Sequence, residues 1–93
     1  MQLVWSSGFS RELKRLLRQN PQMNSQIEQT LEQLALDPFD PSLKTHKLKG
    51  DLANCWSCSV NYSDRIVFQF VENSETVEEE ILLLTVGSHD EVY

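Results

Sequence analysis

The sequence predicts an α+β domain: one strand, two helices, then three strands, with the helical hairpin on one face of an antiparallel sheet. Three observations predict it. Apolar residues recur at helical spacing between residues 9 and 34, strand-length apolar runs replace that period after residue 54, and a short strand-forming segment precedes both. With 93 residues, of which 40% are hydrophobic, the chain has material for one modest core and is expected to be a single domain over residues 1–93.

The opening LVWS is rich in strand formers and is stopped by Ser7 and Gly8, which predicts a first strand near residues 2–5. Ser7 or Ser10 can cap the helix that follows, whose apolar residues Phe9, Leu13, Leu16 and Leu17 are interleaved with basic ones and which ends near Asn20. Pro21 suits the first turn of a second helix, where its missing N–H costs nothing. Met23, Ile27, Leu31 and Leu34 make one stripe there, and the helix stops before Pro38. DPFDPSLKTH, with two prolines and two aspartates, reads as a connection into the sheet. NCWSCSV, RIVFQFV and EEILLLTV are then three antiparallel strands, separated by the turn NYSD and the polar stretch ENSETVEE.

Several function classes recede on composition. No apolar run approaches the roughly 18 residues that span a bilayer, and MQLVWSSGFS lacks the layout of a signal peptide, so a cytoplasmic protein is expected. Cys55 and Cys58 form a CWSC, a spacing used by redox and zinc sites. In a strand, residues three apart point to opposite faces, which argues against a shared metal or a disulfide, and a zinc site would need two further ligands where the whole chain has only two histidines. Both are expected to be plain thiols in a reducing compartment.

The net charge of −6 argues against nonspecific nucleic-acid binding, but its distribution is uneven. Arg11, Lys14, Arg15 and Arg18 against Glu12 leave +3, and Lys44, Lys47, Lys49 and Arg65 against Asp51 and Asp64 leave +2. The acid lies at Glu28, Glu32, Asp37 and Asp40, and after residue 71.

Chemistry-bearing residues gather in the second half: His46 in THKLKG, Asp64 and Arg65 where a strand begins, and His89 and Tyr93 in GSHDEVY. RNA is cleaved when a 2′-hydroxyl attacks the adjacent phosphorus, which calls for a base, an acid and charge stabilisation at the phosphate, with no metal or cofactor. A histidine can serve as base or acid, while Arg65, Lys47 and Lys49 can hold the phosphate. Each residue also has an ordinary explanation. Arg65 can pair with Asp64 or a glutamate, and Lys44, Lys47 and Lys49 can protect a solvated edge strand. Phe39 and Trp56 are better suited to packing than to base stacking.

Taken together, FSRELKRLLRQN, the H-x-L-x-G of residues 46–50, the W-x-x-x-V strand, DRIVF and the closing G-x-H-D-x-V-Y resemble the RelE/StbE superfamily of toxins, nearest the YafQ-like mRNA interferases. The resemblance covers nearly the whole chain. It implies a microbial-RNase-like fold, pairing with a cognate antitoxin in a type II system, and ribosome-dependent, metal-free cleavage of mRNA in the ribosomal A site. It also implies that a toxin–antitoxin complex reaches operator DNA through the antitoxin.

By position, His46 falls on a catalytic histidine of YafQ-like toxins, His89 on their histidine near the C-terminus, and Tyr93 on their final aromatic. Asp64 matches their catalytic acid if the turn is one residue longer here, and Arg65 matches the arginine used at the phosphate. Ser59 stands where those toxins have another active-site histidine, so Asp64 or His46 must cover that role. Lys44, Lys47, Lys49 and Ser59 complete the expected RNA-binding set. Two alternatives share the fold: a ParE-like gyrase inhibitor, and a catalytically degenerate toxin kept as an antitoxin-binding module, which Ser59 and the acidic charge make credible.

Overall fold

The computed structural model describes residues 1–89. Its elements are β1 (Leu3–Trp5), α1 (Ser7–Gln19), α2 (Asn24–Leu36), β2 (His46–Lys47), β3 (Trp56–Ser59), β4 (Asp64–Glu72) and β5 (Glu79–Ser88). The α+β class and the order of the major elements agree with the sequence reading, and the sheet adds two features to it. It has five strands in the order β1-β5-β4-β3-β2, and it is mixed, because β1 runs parallel to β5 while the other neighbours are antiparallel. The extra strand, β2, is a two-residue pairing of His46 with Ser57 and Lys47 with Trp56, too short and polar to carry an alternating pattern.

Ser6 caps α1: its side chain accepts a hydrogen bond from the Phe9 N–H at 3.0 Å. Ser7 and Gly8, expected to stop the strand, instead form the first turn of the helix. β5 explains the arrangement. Between Val67 and Phe68 the register with β5 shifts, leaving Leu84 without a partner on β4. The carbonyl of Leu84 accepts from the Ser6 hydroxyl at 3.3 Å, and a Cβ on Gly8 would stand only 3.2 Å from that same oxygen. Glycine therefore lets the helix start close against the strand.

Pro21–Met23 form a 3-10 turn that leads directly into α2, with Pro21 at its first position. The helices lay Phe9, Leu13, Leu16, Ile27 and Leu34 onto one face of the sheet, where they meet Cys58, Ile66, Phe68, Ile81, Leu83 and Val86. Strand alternation sends Ser57, Ser59, Arg65, Val67 and Gln69 to the second face. Phe39, Trp56 and Phe70 pack as an aromatic trio with centroids 5.4–5.8 Å apart. No helix among the described residues is long and apolar enough to cross a membrane.

The two cysteines are free. Cys55 precedes β3, and its sulfur lies 3.6 Å from the Gln69 amide, on the second face. Cys58 is fully buried in the core, where burial pushes its thiol up to about 12. No group of three or more metal-ligating side chains occurs among the described residues.

Candidate functional site

The site is organised by the four residues between β3 and β4. Asn61 turns the chain: its side-chain oxygen accepts from the N–H of Ser63 at 2.9 Å and of Asp64 at 2.8 Å, and from the Ser63 hydroxyl at 3.3 Å. This is an Asx turn, the local hydrogen bonding that makes asparagine favourable in such a position. Its amide nitrogen donates to the Gln26 side chain at 3.0 Å, tying the turn to α2. The ladder closes around it, with Val60 N–H donating to the Asp64 carbonyl and His89 N–H to the Ser63 carbonyl, both at 2.9 Å.

That turn aims Arg65. Its guanidinium donates to the carbonyl of Asn61 at 2.7 Å and to that of Asp64 at 3.1 Å. No carboxylate lies within ion-pair distance of it among the described residues, where the only salt bridges join Arg11 and Arg15 to Glu12. The ordinary reading, a surface pair of Arg65 with Asp64, does not describe this arrangement. Two backbone carbonyls orient the guanidinium without neutralising it, leaving its charge available to an anion.

Two clefts meet at Arg65. The first, about 400 Å³, is lined by Tyr62, Ser63, Arg65, Ser88 and His89. The second, about 350 Å³, is lined by Ser42, Lys44, Ser59, Val60, Asn61, Tyr62 and Arg65. Among the described residues no acidic side chain lines either, although the protein carries −6 overall. Arg65, Lys44, Ser59 and His89 from the sequence reading are thus brought together around one corner of the sheet.

The remaining candidates are placed differently. His46 is exposed on β2, and its register with Ser57 puts it on the same face as Ser59 and Arg65. It stands two strands and two residues from Arg65, which is about 12 Å between backbones for usual strand dimensions. Its Nδ1 lies 3.1 Å from the Lys44 carbonyl, which can only accept, so Nδ1 carries a proton and Nε2 is the nitrogen left to exchange one. Lys44 adopts the left-handed backbone conformation that brings this carbonyl round.

Asp64 is buried and alternates with Arg65 to the helical face, where its carboxylate accepts from Ser63 Oγ at 3.3 Å. Lys47 and Lys49 are exposed and line neither cleft. Tyr93 lies outside the described residues.

Two residues of this corner escaped the sequence reading: Asn61, which builds the turn, and Tyr62, which lines both clefts and is 98% exposed. The N-x-S-D pattern was a legible sign of an Asx turn.

Comparison with known proteins gives the site its context. A family model described as the bacterial toxin of type II toxin–antitoxin system, YafQ, matches residues 1–93. The fold is similar to that of YafQ from E. coli strain BL21(DE3), with a TM-score of 0.79, 13% identity, and 99% of this chain and 97% of that one covered. It is similar also to a YoeB/ParE toxin from Agrobacterium tumefaciens, with a TM-score of 0.76, 22% identity, and 96% and 99% covered. In the E. coli DinJ-YafQ complex the matching chain gives a TM-score of 0.74 at 16% identity, with 99% and 97% covered. No curated protein matches. The match along the whole length, on a fold shared with these toxins, means that the chain belongs to the YafQ family of bacterial type II toxin–antitoxin toxins.

Proposed function

We propose that this toxin inhibits translation as a ribosome-dependent endoribonuclease that cuts mRNA in the ribosomal A site. The observation that carries the reading is the cleft shared by Arg65 and His89, with Lys44 round the corner and no acidic side chain among the described residues of the lining. Such a corner suits a phosphodiester. Arg65 holds the non-bridging oxygens as negative charge builds on them, which is the largest single contribution expected from a site of this kind.

In the reaction a base takes the proton from the 2′-hydroxyl, the 2′-oxygen bonds to phosphorus, and the bond to the 5′-oxygen breaks as an acid protonates it. The products carry a 2′,3′-cyclic phosphate and a 5′-hydroxyl. His89 is the proton-transfer group at the cleft, and His46, through Nε2, is the second candidate on the same face. Asp64, on the other face, supports the turn through Ser63 and does not reach the cleft in this arrangement. Ser59 is a neutral hydrogen-bonding wall in place of a titrating group. Tyr93 keeps its proposed role of orienting substrate from the chain's tail.

A protein of charge −6 holds naked RNA poorly, so the ribosome supplies most of the substrate binding. The toxin acts in the cytoplasm, its antitoxin covers the site corner or distorts it, and any operator contact is made by the antitoxin. Cleavage of mRNA on programmed ribosomes, mapped by primer extension, is the test. Wild-type protein should cut, Arg65→Ala and His89→Ala should not, and free mRNA should stay largely intact. Growth arrest without any cut mRNA, accompanied by stalled gyrase, would replace this reading with the ParE-like one.

A further inference from the structure

We propose that Tyr62 is a nucleobase-stacking platform that fixes the path of the RNA strand across the site, an inference that rests on the ribonuclease reading above. Among the described residues Tyr62 is the only one besides Arg65 that lines both clefts, so a strand passing from the His89 side to the Lys44 and Ser59 side crosses it. The residue is 98% exposed and makes no aromatic contact with another described residue, unlike Phe39, Trp56 and Phe70, which pack on one another.

The backbone that carries the ring is held in place. Its neighbours on both sides are pinned, Asn61 by Gln26 and Ser63 by Asn61, and the Asn61 carbonyl also holds the Arg65 guanidinium, so the turn tip keeps Tyr62 beside it. A phosphate on Arg65 with its base on Tyr62 is a two-point hold on one nucleotide. The stack tolerates any base and favours purines, whose faces are larger. An exposed aromatic beside the positively charged Arg65 and Lys44 fits single-stranded nucleic acid better than an apolar protein segment, which would have to desolvate both.

The experiment compares wild type with Tyr62→Phe, Tyr62→Trp, Tyr62→Leu and Tyr62→Ala on programmed ribosomes, following cleavage, melting temperature and antitoxin binding. The exposed ring predicts unchanged melting temperatures. Phe and Trp should cut within about two-fold of wild type, while Leu and Ala should lose roughly 5- to 150-fold, the range that one lost stack produces. The loss should be largest where a purine precedes or follows the cut. If wild type cuts and the Leu and Ala variants cut equally well, stacking is wrong while the ribonuclease reading stands. A loss shared by Phe would assign the effect to the hydroxyl and also overturn the proposal. Weakened antitoxin binding with intact cleavage would make Tyr62 a protein contact. If wild type fails to cut at all, the ribonuclease reading falls and the stacking role with it.

Discussion

Asn61→Ala should both soften the fold and disarm the site. The substitution removes an acceptor shared by the backbone N–H groups of Ser63 and Asp64, at 2.9 and 2.8 Å, and a donor to Gln26 at 3.0 Å. Each backbone bond contributes about 0.5–1.5 kcal/mol net, and the exposed Gln26 contact contributes little, so the loss is about 2 kcal/mol. For a domain of this size that lowers the melting temperature by about 8–16 °C. The Asn61 carbonyl that holds Arg65 is backbone and survives, but its position depends on the turn. A shift of about 1 Å costs on the order of 100-fold in rate. Asn61→Asp separates these contributions, since it retains the acceptor and Gln26 can turn its own amide to donate. Thermal unfolding by circular dichroism and cleavage on ribosomes read both effects. An Asn61→Ala variant that melts within about 2 °C of wild type, or an Asp variant as damaged as Ala, would refute the argument that the side-chain oxygen builds this turn.

His89→Ala and His46→Ala should melt like wild type, because both rings are exposed, and each should lose roughly 100- to 10,000-fold in cleavage if it transfers a proton; a wild-type rate in either variant removes that residue from the site. Burial raises the Cys58 thiol from an ordinary 9.0 to about 12, so between these values the unfolded chain releases a proton that the folded chain keeps. Stability should therefore fall as pH rises through that window, and Cys58→Ala should flatten the slope in chemical denaturation; an unchanged slope would show that Cys58 is not its source. Gly50 has φ +69° and open space around its missing Cβ, so Gly50→Ala should cost about 1–2 kcal/mol by equilibrium unfolding from backbone strain alone, and a neutral result would contradict the left-handed assignment.

The helices and the three long strands were legible because their burial pattern repeats along the chain. Phe9, Leu13 and Leu16 need only a period to be recognised, as do Ile66 and Phe68. What pattern could not decide was anything settled by a distant partner. Ser6, Ser7 and Ser10 are equally good caps in isolation, and Ser6 is selected because its N–H and hydroxyl reach the carbonyls of Leu83 and Leu84. The parallel pairing of β1 depends on a strand over 70 positions away. At the site, residue types pointed to Arg65 and His89, whereas strand parity decided that Asp64 and Arg65, adjacent in sequence, face opposite ways. Tyr62 looked like an ordinary turn residue until its exposure and its position between two clefts were known.

The pairing of β1 with β5 also orders events in time. Leu3, Val4 and Trp5 emerge from the ribosome well before their partners Ile81, Leu82 and Leu83. Until then the first strand has no place in the sheet, and α1 lacks the Leu84 carbonyl against which it starts. Closing so long a loop is a slow, non-local step that local helix formation cannot substitute for. His89 follows the same strand, so the segment that completes the sheet also delivers the proton-transfer group proposed for the cleft. A nascent chain interrupted before β5 would be neither folded nor armed. For a protein proposed to attack translating ribosomes, the ribosome making it would be spared at least until β5 and His89 have been made.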